Sequence, residues 1–142
     1  MKLQSTVQRL MPVLAATALA LVSAAAFSKE VKVELTGAQE TPPVSTSAKG
    51  SGAFHIGHDK SVSGSVKTTG IEGTAAHIHT GAVGQSGPPI ITLTKGTDGT
   101  WTVPAGSKLT DEQYKQFKDG DLYVNVHSAE HQAGEIRDQL KP

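Results

Sequence analysis

The sequence contains no cysteine, and its only two methionines, Met1 and Met11, lie near the amino terminus. A domain formed by the rest of the chain therefore has no sulfur ligand to offer. This excludes a thiolate zinc site, an iron–sulfur cluster, a blue-copper centre and a cysteine nucleophile, each of which requires cysteine. Disulfide bonds are excluded as well, so packing and strand pairing must stabilise the fold.

A strong charge of either sign is also lacking. Residues 27–142 carry 11 basic residues and 13 acidic residues, which gives them a formal net charge of −2. Such a surface offers no electrostatic basis for binding nucleic acid or anionic lipid. Common enzyme signatures are missing too, because the sequence has no HExxH, no Walker sequence and no GxGxxG ahead of a predicted helix. These absences favour a binding or structural role over conventional catalysis.

The first 26 residues have the order of a cleavable secretory signal peptide. Lys2 and Arg9 precede an apolar run over residues 10–22, and small residues follow at the A-x-A cleavage positions. As a helix this run would reach only about 20 Å, short of the roughly 30 Å hydrocarbon core of a membrane. We therefore predict that residues 1–26 are removed. Residues 27–142 should then form one domain, exported to the periplasm or the extracellular space and not inserted in the membrane.

Short runs of alternating apolar and polar residues follow from Val31 onward, separated by Gly, Pro, Ser and Thr, and predict a series of β-strands. One helix is predicted near residues 110–118. Thr110 and Gln113 have the spacing of a capping box, and Gly120 stands where a carboxyl-terminal cap is expected. Seven or eight short strands with a single short helix predict an all-β fold, either an antiparallel sandwich or a small barrel.

Three segments of the sequence, read together, resemble the CHRD domain, a module named from chordin and common as a lone exported domain in bacteria. The segments are LTGAQETPPVSTSAKGSGAF at residues 35–54, GIEGTAAHIHTGAVGQSGPPIITL at residues 70–93 and LYVNVHSAEHQAGEIRDQL at residues 122–140. The resemblance implies an extracellular, Ig-like β-sandwich and no established catalytic residue. Growth-factor binding does not transfer, because other modules of chordin make much of that contact.

Four histidines form a candidate metal site. His77 and His79 are two residues apart on a predicted strand, so their rings lie on the same side of it. His127 ends another predicted strand, and His131 follows in the next loop as a possible fourth ligand. Apolar residues alternate with the first three histidines. We therefore expect these three rings to face away from the apolar core, where they could converge on one ion.

The ligand type limits the metals that such a site would accept. Imidazoles without any thiolate or thioether suit Cu(II) or Zn(II) rather than Cu(I). Asn125, Glu130 and Glu135 lie near the histidines in sequence, and each could orient a ring through the nitrogen that does not bind the ion. Copper and zinc are therefore the candidate cofactors.

Two alternative functions stay open at this stage. The histidines could be structural, hydrogen-bonding loop carbonyls in an envelope or matrix module that binds an unknown protein through an exposed patch. Trp101, Tyr114 and Tyr123 are the candidates for that patch. The second alternative is a metal-dependent redox enzyme, because the HIH sequence and a later VH are similar, over a short stretch, to the metal strands of copper-zinc superoxide dismutase. An open coordination position would favour the enzyme, and a closed four-ligand site a structural or storage role.

Two other pairs of residues are expected to lie in solvent. His55 and His58 flank a predicted turn and should be solvated. Glu135 and Arg137 share one face of the last predicted strand. Charged pairs in that position usually lie on a solvated sheet face, so we expect both side chains to be exposed.

Overall fold

The computed structural model describes residues 27–142. The predicted signal peptide, residues 1–26, lies outside the described residues. The described part of the chain contains nine strands, one α-helix, α1 (Asp111–Asp119), and one turn of 3₁₀ helix (Gly37–Gln39). The strands are β1 (Ser28–Thr36), β2 (Lys49–Gly57), β3 (Val62–Thr69), β4 (Gly73–Thr80), β5 (Pro89–Thr92), β6 (Thr94–Lys95), β7 (Thr100–Thr102), β8 (Leu122–Ser128) and β9 (Ile136–Gln139).

All nine strands belong to one antiparallel sheet in the order β5-β4-β8-β9-β1-β2-β3-β7-β6. Its two outer strands, β5 and β6, are separated in the chain only by Leu93. The Leu93 amide donates a hydrogen bond of 2.9 Å to the carbonyl of Ala76 on β4. The sheet therefore curls into a nearly closed barrel, which confirms the predicted all-β class with one short helix.

The apolar residues of successive strands point into the barrel. Period-two alternation places the odd-numbered Val and Leu residues of β1 and the even-numbered apolar residues of β4 and β8 on the inner face. Their side chains are fully or almost fully buried. The central members of this core are Val31, Val33, Leu35, Phe54, Ile56, Val66, Ala76, Ile78, Leu122, Val124, Val126 and Ile136.

The helix forms where the sequence predicts it, to within one residue. The Thr110 hydroxyl accepts from the Gln113 amide at 3.1 Å, and the Gln113 side chain accepts from the Thr110 amide at 2.9 Å. This is a complete capping box. Gly120 caps the other end in the left-handed conformation, with φ of 83°. No helix within residues 27–142 has the length and apolar character needed to cross a membrane.

The outer faces of β8 and β9 are covered by two irregular segments, residues 37–48 and 81–88. The Arg137 guanidinium donates to the carbonyls of Gln85 and Ala82, at 2.8 and 3.0 Å. Glu135 accepts from the Thr46 hydroxyl at 2.9 Å. Both charged side chains are buried, 2% exposed for Arg137 and 7% for Glu135. Alternation predicts that this sheet face points outward, but the two segments cover it. The expectation that Glu135 and Arg137 are solvated is therefore wrong.

Candidate metal centre

Pairing between β4 and β8 brings three of the predicted histidines together. In the register of the two strands, Ala75 lies opposite His127, and His77 lies opposite Asn125. The three rings project from the outer face of the sheet and belong to His77, His79 and His127. One nitrogen of each ring lies within 4.8 Å of one nitrogen of each of the other two, and these three residues are the convergent group. The prediction that their rings face away from the apolar core is confirmed, because Ala76, Ile78, Val124 and Val126 line the core instead.

His131 is not a member of this group. It is half-buried in the turn that follows β8, where its amide donates to the Ser128 hydroxyl at 3.1 Å. The convergent set in residues 27–142 thus contains His77, His79 and His127, with His131 outside it.

His77 and His127 contact each other directly. The His77 Nδ1 and His127 Nε2 atoms are 3.0 Å apart, and His127 Nδ1 lies 2.8 Å from the carbonyl oxygen of Gln132. Because a carbonyl only accepts, His127 donates from Nδ1, and its Nε2 carries a lone pair. That lone pair accepts a hydrogen bond from His77 Nδ1 in this structure. Nε2 is therefore the atom through which His127 could bind an ion.

His79 is the most enclosed of the three rings. It is 7% exposed and stacks on Tyr123, with ring centroids 4.7 Å apart and planes 2° from parallel. Its Nδ1 lies 3.0 Å from the Gly87 carbonyl oxygen and its Nε2 lies 2.8 Å from Asn125 Oδ1. Both partners are oxygen atoms and a neutral imidazole carries one N–H, so the other nitrogen has a lone pair that would bind an ion once its contact with the oxygen opens.

Burial holds two of these rings in the neutral form. Desolvation is the largest cause that lowers the pKa of His77, with the neighbouring His127 and His79 adding to it. Desolvation also lowers the pKa of His79, against hydrogen bonds to Gly87 and Asn125 that act in the opposite direction. Neutral imidazole is the form that binds metal, so these environments prepare the rings for coordination near neutral pH.

These shifts predict a pH dependence of stability in the absence of metal. The folded-state pKa values of His77 and His79 lie below the ordinary value of 6.5, so the unfolded chain binds more protons as the pH falls. The stability that the neutral rings contribute is therefore fully present above about pH 6.5 and is lost as the pH falls through the folded pKa values. Urea unfolding with a chelator present, measured between about pH 7.5 and 5, should show this loss.

A double variant, His77→Gln with His79→Gln, should show a smaller loss over the same pH range. Glu40 titrates with the opposite sign, because burial raises its pKa. The quantity to compare is therefore the difference between variant and parent. His55→Gln with His58→Gln is the matched control, since both side chains are exposed as predicted. An unchanged pH dependence in the first variant would contradict the assignment.

Asn125 is the one predicted orienting residue that contacts a ring. Its Oδ1 lies against His79, and its Nδ2 donates to Glu40 Oε1 at 3.4 Å. Glu135 instead accepts from the hydroxyls of Thr46 and Ser128, at 2.9 and 2.7 Å. Glu130 is exposed. The carbonyls of Gly87 and Gln132 are further partners of the rings, and they could not be predicted because carbonyls in irregular segments leave no residue-type signal.

The aromatic patch considered for protein binding does not form. Trp101 and Tyr123 are each 3% exposed, and Tyr114 is half-buried against the core. The exposed large hydrophobic residues in the described part of the chain are Phe27 and Val83. Tyr123 lies between the His79 ring and the Arg137 guanidinium, which is 3.4 Å from the ring centroid of Tyr123.

Comparison with known proteins identifies a family. The model of the CHRD domain family matches residues 31–140. No curated protein and no solved structure matches the chain significantly. The family match runs from within β1 to the residue after β9 and includes the strands that carry the three histidines. The chain therefore belongs to the CHRD domain family.

Proposed function

We propose that this protein is an exported binding module that holds one divalent transition-metal ion, Cu(II) or Zn(II), through His77, His79 and His127. Membership of the CHRD family supports a structural or binding role. The observation that carries the metal assignment is the convergence of three imidazole nitrogens within 4.8 Å on two paired strands. Export rests on the signal-peptide pattern of residues 1–26.

The distances between the rings are close to those that a bound ion requires. Two nitrogens bound to zinc at 2.0–2.1 Å are about 3.4 Å apart in a tetrahedron and at most about 4.2 Å apart in any geometry. His77 Nδ1 and His127 Nε2, now 3.0 Å apart, would separate by a few tenths of an ångström, and His79 would move towards them. The proton of His77 would move from Nδ1 to Nε2, which frees Nδ1 to bind the ion. Side-chain rotation can supply such movements without a change in the strands.

Partners of the rings would remain in place around a bound ion. His127 would keep its hydrogen bond from Nδ1 to Gln132, and His79 would keep either Gly87 or Asn125, depending on the nitrogen that binds. Metal-binding histidines usually donate their other N–H to a carbonyl or carboxylate in this way. The donor set of nitrogen without sulfur favours Cu(II) and Zn(II), with Cu(II) bound more tightly at equal geometry.

Titration of the purified protein with Cu(II) and with Zn(II) tests this proposal. We expect one ion per chain in the parent protein. The triple variant H77A/H79A/H127A should bind the ion at least about a hundredfold more weakly, a larger loss than removal of a residue that only hydrogen-bonds a metal ligand usually causes. The H55A/H58A variant controls for surface histidines and should bind as the parent does. The H131A variant should also retain parental affinity, because His131 lies outside the convergent group.

Equal metal binding by the triple variant and the parent would contradict the metal assignment. The three histidines would then be structural residues whose hydrogen bonds fix the segments over β4 and β8. In that case the domain would remain a family member with a binding role whose partner is a protein.

A further inference from the structure

We infer that an ion held by His77, His79 and His127 keeps one coordination position open to solvent, and that this position takes a small monodentate anion. The inference rests on the proposed metal binding and goes further, because it assigns an exchangeable ligand and its chemical class. Three observations carry it: the number of protein ligands, the exposure of the rings and the charge around them.

The protein supplies three ligands to an ion that takes at least four. In residues 27–142, the convergent group contains His77, His79 and His127 with no carboxylate and no fourth histidine. Residues 1–26 contain no His, Asp, Glu or Cys in their sequence. Zinc sites with three protein ligands hold water or another exchangeable ligand in the fourth position, whereas structural sites are closed by four protein ligands.

The exposure of the rings shows where the fourth position lies. His79 is buried beneath the segment of residues 81–88 and stacked on Tyr123, whereas His77 and His127 are half-buried. An ion bound by all three would have the enclosed ring on its inner side and the two half-buried rings nearer to solvent. The nearest carbonyls, those of Gly87 and Gln132, already contact ring nitrogens. The remaining position therefore faces solvent.

The charge around the site selects an anion for that position. Three neutral imidazoles leave the two positive charges of the ion uncompensated. The Arg137 cation adds to the positive charge near the site, because it lies against the face of Tyr123 opposite His79. Glu40 contacts Asn125, and Glu135 contacts Thr46 and Ser128, so neither carboxylate belongs to the group of ligand atoms. Hydroxide, azide or a simple carboxylate would therefore bind in preference to a neutral amine.

Azide titration of the Co(II)-loaded protein, followed by visible absorption, tests the inference. Co(II) occupies the same kinds of site as zinc and its visible bands report the ligands around it. We expect Co(II) bands in the parent and H131A proteins and no such bands in H77A/H79A/H127A. Added azide should then change the bands of the parent and of H131A in a saturable way, with one azide per Co(II).

The possible failures are distinguishable. Absence of Co(II) bands in a parent protein that also fails to bind Cu(II) and Zn(II) in the titration above would overturn the metal proposal, and the open position with it. Co(II) bands that azide leaves unchanged in the parent would overturn the open position alone and leave the metal proposal standing. A response to azide in H131A but not in the parent would also overturn it, because it would show that His131 closes the site as a fourth ligand.

Discussion

Replacement of Arg137 by methionine is expected to lower the free energy of unfolding by about 3 kcal/mol. The guanidinium donates to the carbonyls of Gln85 and Ala82, and to Gln139 Oε1 at 3.1 Å. Methionine fills a similar volume but donates no hydrogen bond, so the two partly buried carbonyls and the buried Gln139 oxygen would lose their partner. Equilibrium unfolding in urea measures the loss.

Two further variants show whether the guanidinium itself is responsible. Arg137→Lys keeps the charge but not the planar fork of donors, so its loss should be smaller than that of Arg137→Met and still measurable. Lys67→Met, on the exposed face of β3, is the control for removing a positive charge and should change stability by no more than about 0.5 kcal/mol. A loss at Arg137→Met no larger than that at Lys67→Met would contradict this account.

Replacement of Gly134 by alanine is expected to have a similarly large effect, for a steric reason. Gly134 has a φ of 127°, a conformation that side chains rarely adopt. A Cβ atom there would also collide with Glu40 Oε1 and would lie 2.5 Å from Asn125 Nδ2. The substitution should lower the free energy of unfolding by about 3 kcal/mol, since strain and collision add.

Gly84→Ala separates these two causes. Gly84 also has a positive φ, 76°, but a Cβ atom there would meet no other atom within 4 Å. We expect it to cost only about 1 kcal/mol, the cost of the conformation alone. Equal losses at the two positions, measured by urea unfolding, would show that the contact between Glu40 and Asn125 does not need the space that Gly134 leaves.

The sequence predicts best those features that depend on neighbours along the chain. The capping box of Thr110 and Gln113 is confirmed because its partners are three residues apart. The orientation of His77 and His79 is confirmed because alternation is a local property of a strand. One strand could not be predicted, since β6 has only two residues and is too short to show any alternation.

Features that depend on distant segments could not be predicted in this way. Burial of Glu135 and Arg137 results from contacts with Thr46 and with residues 82–85, which lie about 50 to 90 positions away in sequence. The register between β4 and β8 places His127 diagonally opposite His77. Alternation along each strand does not reveal the register between two strands that are distant in sequence, so the contact between His77 and His127 could not be predicted.

The electron paramagnetic resonance spectrum of the protein with one equivalent of Cu(II) tests the central claim most directly, because it reports the atoms bound to the ion. Our account predicts one uniform Cu(II) species with splitting from three imidazole nitrogens, identical in the parent and in H131A, and absent from H77A/H79A/H127A. A parental spectrum that the triple variant reproduces, or one in which oxygen ligands replace the nitrogens, would contradict the assignment of His77, His79 and His127 as a metal centre.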